Sequence, residues 1–170
     1  MSAESQPYVA AVVDCGSGSI RAYIVEIDGA KQRLLDDLRY AVDMSGAFSR
    51  RGLNRSAMNG VIEALAEIKR VSAEYGTSRR RIVGTSAWRE ASNTDILQDR
   101  IRREVDLEVE VIDAGEESRL YYEALRLLLE RTGRSLDGAS LLADLGHGNT
   151  TINRIDDGKL VNSLDDYFGT

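Results

Sequence analysis

The stretches that decide the fold of this chain read VVDCGSGS at positions 12–19 and LADLGHGN at positions 142–149. Each is an apolar run that ends in an aspartate, Asp14 or Asp144, and continues into a turn with two glycines. The acid and the glycines keep the same spacing in both copies, which lie 130 positions apart (144 − 14). Internal similarity of this kind indicates duplication. The sequence therefore predicts two copies of one strand–turn–strand element.

Outward from these stretches, hydrophobic periodicity and turn residues predict an α/β chain. Strands are predicted at residues 8–14, 20–27, 31–42, 81–85, 108–112, 140–144, 150–155 and 159–164. Helices are predicted at residues 56–75, 87–91, 94–105 and 116–131. Ser56 is the expected N-cap of the first helix. In the last helix, the predicted apolar side consists of Leu120, Tyr121, Ala124, Leu125 and Leu128.

The pattern restarts near residue 140 and stops after a third strand, so the second copy is incomplete. We predict three regions along the chain. They are a disordered tail at 1–7, a first domain at 8–133 and the start of a second domain at 134–170.

Composition and charge exclude several classes of function. The net charge is −6, which disfavours nucleic-acid binding through a basic surface. The single cysteine excludes a disulfide framework, and with no signal peptide it predicts a reducing compartment. No apolar run approaches the roughly 20 residues that a membrane-spanning helix needs. We therefore expect a cytoplasmic protein with neither a nucleic-acid partner nor a membrane partner.

The two glycine turns can bind an anion. Glycine lets backbone N–H groups approach a ligand closely and form a concave nest, and neighbouring hydroxyl and amide side chains add donors. The aspartates that precede the turns can hold Mg²⁺ directly or through water. Two such turns facing each other would clamp one phosphate chain. The candidate phosphate-binding residues are Gly16, Ser17, Gly18, Ser19, Gly146, His147, Gly148 and Asn149.

Two further segments carry charged candidates. Glu116 and Glu117 lie at a helix start, where acids favour the macrodipole, and this structural role explains one of the two. A glutamate beside bound phosphate would instead deprotonate an attacking water. Arg89 follows a strand and enters a helix, where its guanidinium can pair either with phosphate or with a surface carboxylate.

Four segments, taken in order, resemble the exopolyphosphatase / guanosine pentaphosphate phosphohydrolase family. They are residues 14–19, 84–93, 112–120 and 144–151, and their order and spacing fit along almost the whole chain. The resemblance implies an actin-like fold built from two ribonuclease-H-like domains, each a mixed sheet with flanking helices. Here the first domain would be followed by the opening strands of a second, incomplete copy, and the active site would lie in the cleft between the domains.

The resemblance also implies Mg²⁺-dependent release of terminal phosphate from polyphosphate or guanosine pentaphosphate. Carried over by position, Glu117 is the general base and Arg89 grips phosphate. Asp144 binds the metal, with Asp14 beside it.

The second turn departs from the family's pattern at three positions. His147 stands where the family has glycine, Asn149 where it has serine and Thr151 where it has glutamate. A side chain at 147 crowds the nest, and loss of the acid at 151 removes a metal ligand. These departures leave open a non-catalytic module that binds phosphate without hydrolysing it. Exposed strands of an unfinished second domain could also pair between chains and form a homodimer.

A second kind of enzyme stays open as well. Cys15 and Arg21 have the Cys-x5-Arg spacing of cysteine-dependent phosphatases, in which a thiolate attacks phosphorus. That mechanism needs the loop to enter a helix, because the helix N-terminus lowers the pKa of the thiol. The residues after Arg21 instead read as a strand, so we expect Cys15 to be a small packed side chain.

Overall fold

The computed structural model describes residues 6–146 and 149–166. Residues 1–5 of the predicted tail therefore lie outside the described part. The chain forms two compact units, Met1–Val111 and Ile112–Thr170. The predicted domain boundary at 133–134 falls later, after the helix Ala114–Arg131. That helix groups with the second unit because it packs against the last strand there.

The first unit contains five strands and three helices. The strands are β1 (Tyr8–Cys15), β2 (Ser19–Asp28), β3 (Lys31–Ala41), β4 (Arg79–Gly84) and β5 (Glu110–Val111). The helices are α1 (Arg55–Glu74), α2 (Ser86–Glu90) and α3 (Thr94–Val105), and a 3₁₀ turn covers Ser45–Phe48.

These strands form one mixed sheet in the order β3-β2-β1-β4-β5. β1, β2 and β3 are antiparallel, whereas β4 and β5 run parallel to β1. Gly29, with a φ of 58°, makes the tight turn between β2 and β3. The carboxyl ends of β1, β4 and β5 therefore meet at one edge of the sheet, so the segments that follow these strands start from that edge.

Helices α1 and α3 cover one face of this sheet. Side chains alternate between faces along a strand, so β1 and β2 present every second residue to the helices. The core members from the sheet are Val13, Cys15, Ile20, Ala22 and Ile82, and those from the helices are Val61, Leu65, Ile68, Leu97 and Ile101. Burial of this apolar surface is what holds the helices to the sheet.

The N-cap of α1 is Asn54, so the prediction of Ser56 was wrong. The Asn54 side chain accepts a hydrogen bond from the backbone N–H of Ala57 at 2.9 Å. Leu53 and Met58 occupy the N′ and N4 positions of a hydrophobic staple, and both are buried in the same core. Burial of the flanking residues therefore selects the earlier cap.

The strand bounds differ from the predictions by one or two residues, and pairing explains two of the differences. β4 begins at Arg79 because Arg79–Arg81 pair in register with Ala10–Val12 of β1. β5 is limited to Glu110–Val111, which pair with the last two residues of β4. The predicted strand 108–112 was therefore too long. Helix α3 has the predicted bounds.

The second unit is a three-stranded antiparallel sheet with one helix. The helix is α4 (Ala114–Arg131), and the strands are β6 (Ala139–Leu145), β7 (Thr150–Asp156) and β8 (Lys159–Asp166), in the order β6-β7-β8. Gly133, with a φ of 66°, follows the end of α4. Leu128 and Ala124 were predicted on the apolar side of α4, but both are exposed, Leu128 by 59%. The hydrogen bonds from α4 to the rest of the second unit come from Ser118 and Tyr122, nearer the start of the helix.

Candidate functional site

Backbone hydrogen bonds hold the first glycine turn, residues 16–19. The N–H of Gly16 donates to the carbonyl of Ser19 at 3.0 Å and closes the turn between β1 and β2. The carbonyl of Ser17 accepts from the N–H of Met44 at 2.9 Å, and that of Gly18 accepts from Val42 at 3.2 Å. The segment after β3 therefore fixes the carbonyl side of the turn.

The amide side of this turn is open. The N–H groups of Ser17 and Gly18 donate no hydrogen bond to any residue that the structure describes. Two consecutive amides whose carbonyls are fixed form a preorganised donor pair, as an anion-binding nest requires. The role of Gly16, Ser17, Gly18 and Ser19 in phosphate binding stays a prediction.

Arg89 is carried to the same edge of the first unit. β1 and β4 run side by side with Cys15 opposite Gly84, and the N–H of Thr85 donates to the carbonyl of Cys15 at 3.4 Å. Trp88 is buried against Gly84, where a Cβ would lie 2.6 Å from the indole ring. This packing fixes the short helix α2, so Arg89 starts beside the open turn.

The environment of Cys15 excludes the cysteine-phosphatase mechanism. The thiol is fully buried in the core, and burial, assisted by the charge of Asp14, raises its pKa far above the usual value. Arg21 lies in strand β2, so the segment does not enter a helix. A buried, protonated thiol cannot act as a nucleophile at neutral pH. Cys15 is a packed core residue, as predicted.

The paired glutamates at the start of α4 have different environments. Asp113 caps the helix by accepting from the N–H of Glu116 at 2.8 Å. Glu116 pairs with Arg119 one turn later at 2.7 Å, with its partner exposed to solvent. Glu117 is buried, with 8% of its surface exposed. The structural role predicted for one of the two glutamates therefore falls on Glu116, and Glu117 is the candidate for chemistry.

The second glycine turn repeats the first. The N–H of Gly146 donates to the carbonyl of Asn149 at 2.9 Å, the same bond as that between Gly16 and Ser19. Asp144 is the second-last residue of β6 and pairs with Thr151, just as Asp14 is the second-last residue of β1 and pairs with Arg21. His147 and Gly148 lie outside the described residues, so their predicted contact with phosphate stays a prediction.

A buried polar row runs from Asn149 along β7, and its extension to Asn153 was not anticipated from the sequence. Asn149 and Thr151 are buried, and the Asn149 amide reaches the Thr151 hydroxyl at 3.5 Å. Asn153 is buried next on the same face, and Ser118 of α4 bonds Ser163 of β8 at 2.8 Å. Polar residues at every second position of a predicted strand are the signal that could have indicated a buried polar face.

Each unit thus holds part of the predicted site. The first brings Ser17, Gly18 and Arg89 to one edge of its sheet, and the second contains Glu117 and Asp144. The predicted clamp that joins the two turns stays a prediction. Within residues 6–146 and 149–166, no group of three or more His, Cys, Asp or Glu side chains is placed to hold a metal. Within the same ranges, no helix is both long and apolar enough to cross a membrane.

Comparison with known proteins gives a consistent result. The model of the Ppx/GppA phosphatase family matches residues 11–169. The chain is 29% identical over 143 residues to the guanosine-5'-triphosphate,3'-diphosphate pyrophosphatase of Photobacterium profundum, which covers 84% of this chain and 28% of that protein. It is 26% identical over 117 residues to Exopolyphosphatase 1 of Mycobacterium leprae, in an alignment that covers 68% of this chain and 34% of that protein.

Solved structures show the same fold. The Ppx/GppA family member of Aquifex aeolicus matches with a TM-score of 0.77 and 26% identity, over 96% of this chain and 52% of that chain. An exopolyphosphatase of Cytophaga hutchinsonii matches with a TM-score of 0.84 and 25% identity, over 96% and 51%. The predicted actin-like α/β fold is confirmed by this likeness. The chain spans about half the length of these structures and about a third of the curated relatives.

Proposed function

Because this chain belongs to the Ppx/GppA phosphatase family, we propose that the protein hydrolyses phosphoanhydrides and releases terminal phosphate from polyphosphate or guanosine pentaphosphate. The names of the relatives support this substrate class. The chain covers only part of each relative. The proposal therefore depends on the geometry of the site as well as on membership of the family.

The observation that carries the proposal is the open amide pair of Ser17 and Gly18. Their carbonyls are fixed by Met44 and Val42, so the amides need no rearrangement to receive an anion. Arg89 lies in helix α2, which follows the same edge of the sheet. Its guanidinium can donate two parallel hydrogen bonds to phosphate oxygens. Preorganised donors of this kind stabilise the charge that develops on a phosphoryl group during transfer.

Glu117 is the proposed general base. Its burial removes the carboxylate from bulk water, while the capped first turn of α4 holds its backbone, with the N–H of Glu117 bonded to the carbonyl of Asp113 at 3.0 Å. The carboxylate accepts a proton from the attacking water as the oxygen bonds to the terminal phosphorus. The bond from that phosphorus to the bridging oxygen breaks, and the shortened phosphate chain leaves.

Asp14 and Asp144, the second-last residues of β1 and β6, are the carboxylates that Mg²⁺ would use. The ion needs only one or two carboxylates, because it keeps several waters and takes phosphate oxygens as its other ligands. Asp144, half-buried beside the Thr151 hydroxyl, offers one carboxylate, and Asp14 offers the other. We propose that these two residues hold the ion, which would neutralise phosphate charge during transfer.

Phosphate release tests the proposal directly. The purified chain is incubated in the presence of Mg²⁺ with polyphosphate in one reaction and with guanosine pentaphosphate in another. The free phosphate released in each reaction is measured over time. We expect release from at least one substrate. Binding of both substrates without release, measured by calorimetry, would instead support the phosphate-binding module and overturn the hydrolase.

A matched pair of variants tests the base. Glu117→Gln removes the proton acceptor and should lower kcat by about 10²- to 10⁴-fold, the usual contribution of a general base. Glu116→Gln removes a neighbouring carboxylate that pairs with the exposed side chain of Arg119, so kcat should not change. Equal rates in the two variants would remove Glu117 from the mechanism.

A further inference from the structure

We propose that Asn153 is a positioning residue, which holds an ordered water beneath the first turn of α4 and thereby fixes the turn that carries Glu117. The inference rests on the proposed hydrolase and adds a residue to its site. It starts from the burial and hydrogen-bonding of Asn153, which lies on β7 in the second unit.

Asn153 is fully buried, and neither polar atom of its amide has a hydrogen-bond partner among the described residues. No other described side chain has two buried polar atoms left without a partner. A buried amide of this kind is costly, since it loses its hydrogen bonds to water without replacement. An apolar side chain at this position would give a more stable fold than an unpaired amide. Buried polar groups in folded proteins have hydrogen-bond partners, so we expect a partner for the Asn153 amide.

The register of the sheet shows where that partner lies. Asn153 stands between Leu142 of β6 and Ser163 of β8. Directly paired residues share a face of the sheet, so the side chains of Asn153 and Ser163 point the same way. Ser163 bonds the hydroxyl of Ser118 at 2.8 Å, and Ser118 is the residue after Glu117. Asn153 therefore lies under the turn of α4 that presents Glu117.

A water molecule suits these groups. The amide offers one donor side and one acceptor side, and each serine hydroxyl can donate or accept. A buried water typically makes about three hydrogen bonds to the polar groups around it. With one water bonded to Asn153 and to the serine pair, the first turn of α4 is tied to β7 as well as to β8. Glu117 then meets the substrate in one orientation.

Two variants of Asn153 separate positioning from packing. Asn153→Leu has nearly the same shape but cannot bind water, so kcat should fall by about 10- to 100-fold while KM stays within about 2-fold. Asn153→Ser keeps a hydroxyl and should recover most of the lost kcat. Ile155→Val, one row further on the same buried face, is the control; it should lower stability without changing kcat.

The water is also observed without turnover. In the wild type, the side-chain amide protons of Asn153 should show a nuclear Overhauser effect to a long-lived water, and this effect should vanish in Asn153→Leu, which should also melt at a higher temperature. No such effect in the wild type overturns the proposal, whether or not the protein is active. Lack of phosphate release by the wild type would reject the hydrolase alone. An active wild type with an equally active Asn153→Leu would reject the positioning role alone.

Discussion

The two glycine turns share one local structure but lie in opposite surroundings. Asp14 pairs with Arg21 and Cys15 with Ile20 in the first unit, and Asp144 pairs with Thr151 and Leu145 with Thr150 in the second. Both hairpins continue into a bulge at the same place, between Ile24 and Val25 and between Arg154 and Ile155. The repeat therefore extends past the turns into the register of three strands.

The difference lies in which face of the hairpin is covered. In the first unit, helices cover the face that contains Cys15, whereas Asp14 is exposed. In the second unit, α4 covers the face that contains Asp144 and Thr151, and Leu145 is 79% exposed. One local sequence pattern thus gives the same turn in both units, while the helices that follow decide which of its side chains are buried.

The largest expected effect on turnover that separates the two turns concerns their aspartates. Arg21 places a cation opposite Asp14, whereas the neutral Thr151 stands opposite Asp144. A divalent ion meets less competing positive charge at Asp144. We expect Asp144→Asn to lower the rate of phosphate release by about 100-fold at low Mg²⁺, a loss of about 2.7 kcal/mol, and Asp14→Asn to cost much less. Rates measured across a Mg²⁺ titration check this, and equal Mg²⁺ dependence in the two variants would contradict the distinction.

Core packing gives the largest expected effect on stability. Ile20 is fully buried beside α1 and α3, so Ile20→Ala should destabilise the first unit by about 2–5 kcal/mol. Leu145→Ala in the second hairpin removes a side chain that already faces solvent, and we expect a change within about 0.5 kcal/mol.

Trp88 is the single tryptophan and lies in the first core, so its fluorescence during urea unfolding reports the first unit. Circular dichroism follows the helices of both units, so a transition that it shows and the Trp88 fluorescence does not show belongs to the second unit. If Ile20→Ala and Leu145→Ala lowered the free energy of unfolding by similar amounts, the two hairpins would not differ in which face is buried as described.

A smaller effect should separate Cys15 from Leu145. Cys15→Ser places a hydroxyl in an apolar core and should cost about 1–3 kcal/mol, while Leu145→Ser should be nearly neutral. Phosphate release by Cys15→Ser should stay at the wild-type rate, because the buried thiol takes no part in the chemistry. Urea unfolding and a phosphate assay on the same samples measure both quantities, and loss of turnover in a folded Cys15→Ser would restore the cysteine mechanism.

The smallest effect distinguishes the two leading glycines. A Cβ on Gly146 would lie 2.9 Å from the Asn149 amide oxygen and 3.0 Å from its carbonyl, whereas a Cβ on Gly16 would lie 3.3 Å from the carbonyl of Ser19. Gly146→Ala should therefore cost about 1 kcal/mol more than Gly16→Ala. Chemical unfolding of the two variants side by side gives the difference, and a greater loss in Gly16→Ala would contradict it.

Local signals in the sequence predicted most of the elements correctly. Helix α3 has the predicted bounds, and the turns at Gly29 and Gly158 lie between strands that the sequence predicted. Errors arose where tertiary contacts override local preference. Leu53 and Met58 select Asn54 as the cap of α1 in place of Ser56, and β5 is only as long as its pairing with β4 allows.

The candidate site shows the same division. The glycine turns, Arg89 and the paired glutamates were all identifiable from residue type and spacing. Which glutamate is buried was not, since adjacent helix positions differ only in what packs against them. Asn153 also escaped notice, because one amide on a strand looks like any exposed polar residue until its burial is known.

The sequence by itself determined the duplicated strand–turn–strand element, the family and the residue types available for chemistry, because turn geometry and strand pairing depend on neighbours a few positions apart. Only the tertiary structure decided which face of each hairpin is covered, that Cys15 is sealed in a core and that Ser17 and Gly18 keep their amides open. Those outcomes depend on helices and segments distant in sequence, whose packing removes water from one side of a strand and leaves the other exposed.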